Sequence, residues 1–110
     1  MKKNPKIFLH HILESITAIE KYTESFTKAQ FLKTPQLQDA VTRRLEIMGE
    51  AVKNIPANLK NKHPETPWKK IAGIRDILIH EYFGTDLGLI WEVIKKDIPV
   101  LKDQIKKLLR

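Results

Sequence analysis

Arg75, His80 and Tyr82 place a guanidinium, an imidazole and a phenol within eight residues, in the stretch Ile74-Arg75-Asp76-Ile77-Leu78-Ile79-His80-Glu81-Tyr82-Phe83. A guanidinium is permanently charged, and its planar fork grips phosphate. An imidazole exchanges protons near neutral pH. Together these groups suit cleavage of a phosphodiester without a metal, with histidine moving protons and arginine stabilising the negative charge that develops at phosphorus.

The spacing constrains how they meet. Each residue of an α-helix advances about 100°, so Tyr82, seven residues after Arg75, points within roughly 20° of it. Asp76 and His80 are four apart and share a face. His80, however, lies about 140° around the axis from Arg75. Either the helix unwinds near His80, ahead of Gly84, or two copies of the chain pack about a two-fold axis and pool Arg75 and His80 in one cleft. The second is preferred, because a symmetric pair needs only one self-complementary patch.

Each residue taken singly also fits a structural role. Arg75 shares a stripe with Trp68, Ile71, Leu78 and Tyr82. Burial there demands a carboxylate partner, for which Glu46 and Glu50 qualify. His80 can be a core histidine bonded to Asp76 or to a backbone carbonyl, and Tyr82 a half-buried aromatic at a helix end. Other groups carry less. His10 and His11 are adjacent, so they point about 100° apart and cannot share a metal. His63 sits in a proline-flanked loop without partner ligands, and no phosphate-cradling glycine loop or serine nucleophile elbow is present.

Four helices must position these groups, and no strand is expected. The first runs from about Asn4 to Phe26, with Asn4 as cap, Pro5 in the first turn and an apolar stripe of Phe8, Ile12, Ile16, Ile19, Thr23 and Phe26. Thr34-Pro35 opens the second, whose stripe is Leu37, Val41, Leu45, Met48, Val52 and Ile55. Residues 55–66 read as a loop with room for one short helical turn near Ala57 to Asn61. Thr66-Pro67 opens the third, which carries the Arg75–Tyr82 stretch and breaks at Gly84-Thr85. Thr85 or Asp86 caps the fourth, where Leu87, Trp91, Ile94, Ile98, Leu101, Ile105 and Leu108 alternate steps of four and three. Pro99 falls inside it and should kink it. Short links between amphipathic helices imply an all-α antiparallel four-helix bundle formed as a single domain by residues 1–110.

Composition agrees with an ordinary globule: of 110 residues, 42% are hydrophobic and 30% charged. Zero cysteines exclude disulfide staples and thiolate zinc sites and fit a reducing cytoplasm. The start, Met1-Lys2-Lys3-Asn4-Pro5-Lys6-Ile7-Phe8-Leu9, has the look of a signal peptide, but His10, His11 and Glu14 interrupt its apolar run. No apolar run nears the roughly 20 residues that cross a bilayer, so no membrane partner is expected. Net charge is +7, which favours an acidic partner such as nucleic acid. Residues 53–70 hold Lys53, Lys60, Lys62, Lys69 and Lys70 against Glu65, net +4, and residues 95–110 are also net +4, while residues 71–94 are net −3.

The order of these residues resembles the HepT type of HEPN-domain ribonuclease toxins. The signature is Arg75, four residues, His80, one residue, Tyr82. Arg44-Leu45-Glu46-Ile47-Met48-Gly49-Glu50-Ala51 is similar to the family's second-helix segment, and Trp68-Lys69-Lys70-Ile71-Ala72-Gly73-Ile74-Arg75 to the approach to its motif. Glu81 to Asp86 and Ile90 to Leu101 match the family's segments on the C-terminal side of the motif. One departure is Asp76, where the family often has asparagine; it places an extra carboxylate beside the cleft.

The resemblance implies an all-α HEPN bundle, a homodimer with the motif at the dimer cleft, and metal-independent cleavage of RNA with Arg75 and His80 at the functional positions. No cofactor is expected. It also implies a cognate partner, an MntA-type minimal nucleotidyltransferase antitoxin that silences the toxin by adding AMP to the motif tyrosine, Tyr82 here. Asp76, one turn before His80, would orient the ring and hold its tautomer. Two other readings stand beside this one. In the first, the chain is a non-catalytic nucleotide-binding or accessory HEPN subunit of a nucleotidyltransferase complex, with Arg75 as a phosphate clamp. In the second, it is a structural helical dimer.

Overall fold

A computed structural model of the chain describes residues 4–80 and 86–110, with the backbone alone for residues 75–80. Among the described residues every regular element is helical: α1 (Pro5–Thr23), α2 (Lys28–Leu32), α3 (Pro35–Lys53), α4 (Ala57–Lys62), α5 (Trp68–His80), α6 (Leu87–Glu92) and α7 (Ile98–Leu109), the last two joined by a π-helical turn, Val93–Asp97. The expected all-α bundle is present.

The apolar stripes explain the packing. α1 packs on α3, α3 on α5, and α1 on α7. Ile12, Ile16 and Ile19 of α1 meet Val41, Leu45, Met48 and Val52 of α3 and Ile98, Leu101 and Ile105 of α7 in a shared core, each of these side chains buried. Complete burial of an aliphatic side chain of this size stabilises the fold by about 1.5–3 kcal/mol before the entropy of ordering is subtracted. Thr23 is buried at the end of α1 because its hydroxyl donates to the Ile19 carbonyl at 2.8 Å, which removes the cost of an unpaired polar group.

The helix starts follow local chemistry. Asn4 Oδ1 accepts from the Lys6 amide at 3.0 Å and caps α1. Asp86 Oδ1 accepts from Leu89 N–H at 3.1 Å and caps α6, as expected. The short turn expected between residues 55 and 66 is α4.

Three expectations need correction. The first helix ends at Thr23 rather than Phe26, and α2 comes next. Its start is a capping box, with Gln30 N–H donating to the Thr27 hydroxyl and Thr27 N–H donating to Gln30 Oε1. The Thr27-Lys28-Ala29-Gln30 sequence carries that signal. Phe31 of α2 is fully buried and stacks on Trp91, centroids 5.3 Å apart. Thr34 does not cap α3; its hydroxyl turns back and donates to the Gln30 carbonyl at 2.6 Å. Finally, the fourth helix is not one uninterrupted α-helix: a π-helical turn, Val93–Asp97, stands between α6 and α7 just ahead of Pro99. Ile98 N–H donates to the Val93 carbonyl, a five-residue step, so the ladder has already changed register when it reaches the residue that lacks an N–H. The wider turn buries Val93 as well as Ile94.

Candidate functional site

α5 begins at a firmly held corner. Trp68 and Ile71 are buried, and the Trp68 indole N–H donates to the His63 carbonyl at 3.0 Å. Gln104 Nε2 of α7 donates to the Glu65 carbonyl at 2.9 Å, just ahead of α5. Lys70 Nζ lies 3.0 Å from Asp97 Oδ1 in the π-turn. These contacts tie the start of the helix to the far end of the chain, while α3 supports its length.

Arg75, Asp76 and His80 lie on the backbone of α5, which is continuously helical from Trp68 to His80. On that backbone Arg75 and His80 remain about 140° apart around the axis. Unwinding before His80 is therefore not how they would meet. The side chains of Arg75, Asp76 and His80 lie outside the described residues, as does Tyr82 entirely.

Of the two carboxylates offered as partners for Arg75, Glu46 lies 3.6 Å from Arg43 one turn earlier on α3. The Glu50 carbonyl accepts from Asn54 Nδ2 at 2.9 Å. Glu46 and Glu50 both line a cleft of about 320 Å³ between α1 and α3, together with Phe8, His11 and Arg43. His11 meets Phe8 edge to face, centroids 6.2 Å apart, and is not directed to a ligand cluster with His10. His63 Nδ1 sits 3.4 Å from Glu65 Oε1. Among the described residues no group of three histidine, aspartate or glutamate side chains is arranged to hold a metal ion, and no helix is long and apolar enough to cross a membrane.

The charge pattern resolves in a way that counting along the chain missed. Lys96 pairs with Glu92 at 3.0 Å, Lys102 with Glu20 at 2.8 Å, and Lys95 Nζ lies 4.6 Å from the centre of the Trp91 ring. Lys96, and after it Lys28, holds the Glu92 carboxyl below the ordinary glutamate range, the hydrogen bond from Lys96 being the larger cause. Half of the basic residues near the C-terminus are thus engaged internally. Lys60, Lys62 and Lys69, like Lys106, Lys107 and Arg110 at the C-terminus, have no carboxylate partner among the described residues.

A bundle of amphipathic helices whose fifth member carries Arg75 and His80, in a chain whose sequence continues to Tyr82, defines a small helical domain of the HEPN class. The chain belongs to the HepT-like ribonuclease family: the family described as "Ribonuclease HepT-like" matches residues 12–108. It is 56% identical over 109 residues to a protein of Methanocaldococcus jannaschii named "Gamma-glutamylcyclotransferase and putative RNase"; the match covers 99% of this chain and 49% of that protein, so the chain spans about half its length. It is 47% identical over 108 residues to "Probable ribonuclease HepT" of Thermococcus cleftensis, with 98% of each chain covered. It is 46% identical over 108 residues to a "Putative RNase" of Caldanaerobacter subterraneus subsp. tengcongensis, covering 98% of this chain and 96% of the relative. No solved structure matches the chain.

Proposed function

We propose that this chain is a metal-independent endoribonuclease and the toxin of a toxin–antitoxin pair. The observation that carries the reading is membership of the HepT-like ribonuclease family across residues 12–108, with Arg75 and His80 on one continuous helix inside that span. Two copies of the chain supply the reacting groups. One His80 takes the proton of a ribose 2′-hydroxyl, whose oxygen attacks the adjacent phosphorus. The partner's copy of the same histidine protonates the departing 5′-oxygen. Arg75 stabilises the charge that builds on the phosphorane oxygens, and Asp76 orients the His80 ring. The products are a 2′,3′-cyclic phosphate and a 5′-hydroxyl.

Silencing acts on the same surface. A minimal nucleotidyltransferase of the MntA type transfers AMP from a nucleoside triphosphate to the Tyr82 oxygen, with release of pyrophosphate. The attached phosphate competes for Arg75 and repels the substrate strand.

The test is digestion of RNA in EDTA by the purified chain. Cleavage should fall by about 10²–10⁴-fold in His80→Ala with circular dichroism unchanged. Nucleotide binding with no cleavage would instead favour the accessory-subunit reading. Intact mass after co-expression with a neighbouring nucleotidyltransferase gene tests the modification, and Tyr82→Phe should remove any added AMP.

A further inference from the structure

We propose that the cleft between α1 and α3 is a guanine subsite for the RNA substrate, with Arg43 and Glu46 reading the base. This rests on the ribonuclease reading and adds to it a base preference beside the cut.

The cleft has the size and lining of a one-nucleotide site. At about 320 Å³ it stands at the small end of the roughly 300–1,000 Å³ of small-ligand pockets. Its floor is apolar, made by Ile47 and the buried Ala51 of α3, and Phe8 of α1 is its aromatic wall. Such a lining takes the flat face of any base, so stacking alone is indifferent to sequence.

The polar groups decide which base fits. Arg43 Nη1 lies 3.6 Å from Glu46 Oε2, one turn away on α3. That distance is beyond a hydrogen bond, and Arg43 is 72% exposed, so the pair opens readily to a ligand. A guanidinium that only donates thus stands beside a carboxylate that only accepts. Guanine carries the matching order around its rim: acceptors N7 and O6, then donors N1–H and N2–H. Arginine takes the first two and the carboxylate takes the second two. Adenine and cytosine place a ring-nitrogen acceptor next to the amino group, which repels a carboxylate. Uracil offers a single N–H.

The cleft is also well placed along the helices. Leu45, Met48, Ile71 and Ile74 wall one apolar crevice between α3 and α5. Glu46 directly follows Leu45, and Arg75 directly follows Ile74. On the two backbones they therefore stand at nearly the same level, within about one 5.4 Å turn. A strand engaged at the motif can lay a neighbouring base on α3.

The experiment uses the full chain and labelled 2′-O-methyl RNA trinucleotides that differ only in the central base. They lack the attacking hydroxyl and cannot be consumed. By fluorescence anisotropy, a central guanine should bind about 5- to 150-fold more tightly than adenine, cytosine or uracil, the range for one good bidentate contact. Hypoxanthine, which lacks the N2 amino group, should bind less tightly than guanine, and Glu46→Gln should shrink that difference with circular dichroism unchanged. Arg43→Ala should likewise shrink the difference between guanine and 7-deazaguanine. Equal binding of the four bases by the unaltered chain would overturn the proposal. So would a guanine preference that survives both substitutions, which would place the recognition elsewhere. Cleavage is read separately. Cuts with no guanine within one nucleotide of the scissile bond refute the subsite alone, and guanine-selective binding with no cleavage in EDTA refutes the nuclease reading alone.

Discussion

Lys70 and Asp97, separated by 27 residues in sequence, meet at 3.0 Å and fasten the motif helix to the π-turn between α6 and α7. Both side chains are well exposed, at 56% and 39%, so water screens the pair. Lys70→Met and Asp97→Asn should each cost no more than about 1 kcal/mol, and a double-mutant cycle by urea denaturation should return a coupling of about 0.2–1 kcal/mol. A larger coupling would mean that the pair sets the position of α5 as well as decorating it.

Phe31 is the large side chain that α2 sends into the core, where it lies against Trp91. Phe31→Ala should destabilise the fold by about 3–5 kcal/mol, because it removes contacts and leaves a cavity under a helix too short to collapse independently. Urea titration followed by tryptophan fluorescence should show a lower midpoint with an unchanged slope. A loss below about 1 kcal/mol, the low end for any buried truncation, would show that α2 contributes little to the folded state.

Gly73 sits inside α5, and a methyl group added there meets nothing within 4 Å. Glycine in a helix interior costs roughly 0.5–1 kcal/mol relative to alanine. Gly73→Ala should therefore raise the thermal midpoint. If sedimentation shows that the same variant weakens self-association, the glycine is serving close approach of a second copy.

Glu92 carries a pH dependence of known sign. Its folded-state pKa is lowered, first by the hydrogen bond and charge of Lys96 and then by Lys28. The stabilisation it gives is present above the unfolded glutamate pKa and disappears as pH falls through the lower folded value. Lys96→Met should move the Glu92 titration upward toward the ordinary range, as read by side-chain carboxyl NMR. No movement would show that the 3.0 Å contact is not populated in solution.

Much of the fold was legible because helical signals are local. The α3 stripe from Leu37 through Val52 is buried without exception, as is Ile55 just past the helix end. Its period comes from backbone geometry that any amphipathic helix must obey. Asn4 and Asp86 cap as expected, since an N-cap needs only a side-chain oxygen and an amide two or three residues away. Thr34 misled because its hydroxyl had a second local acceptor, the Gln30 carbonyl, that exists only once α2 has formed. The π-turn was missed for a related reason. Pro99 announces a broken ladder, but the wider turn lies before the proline, where Val93 and Ile94 are buried.

Taken alone, the sequence determined the helical class, the apolar faces and the order of arginine, histidine and tyrosine along the chain, because each is fixed by periodicity or by covalent order. Only the tertiary structure decided which lysines remain open. Glu20 and Lys102 are 82 residues apart, and no local rule brings them within 2.8 Å. Attraction between exposed charges is screened beyond about 8–10 Å in physiological salt, so a charge is quenched or left free by its neighbours in space rather than by those in the chain.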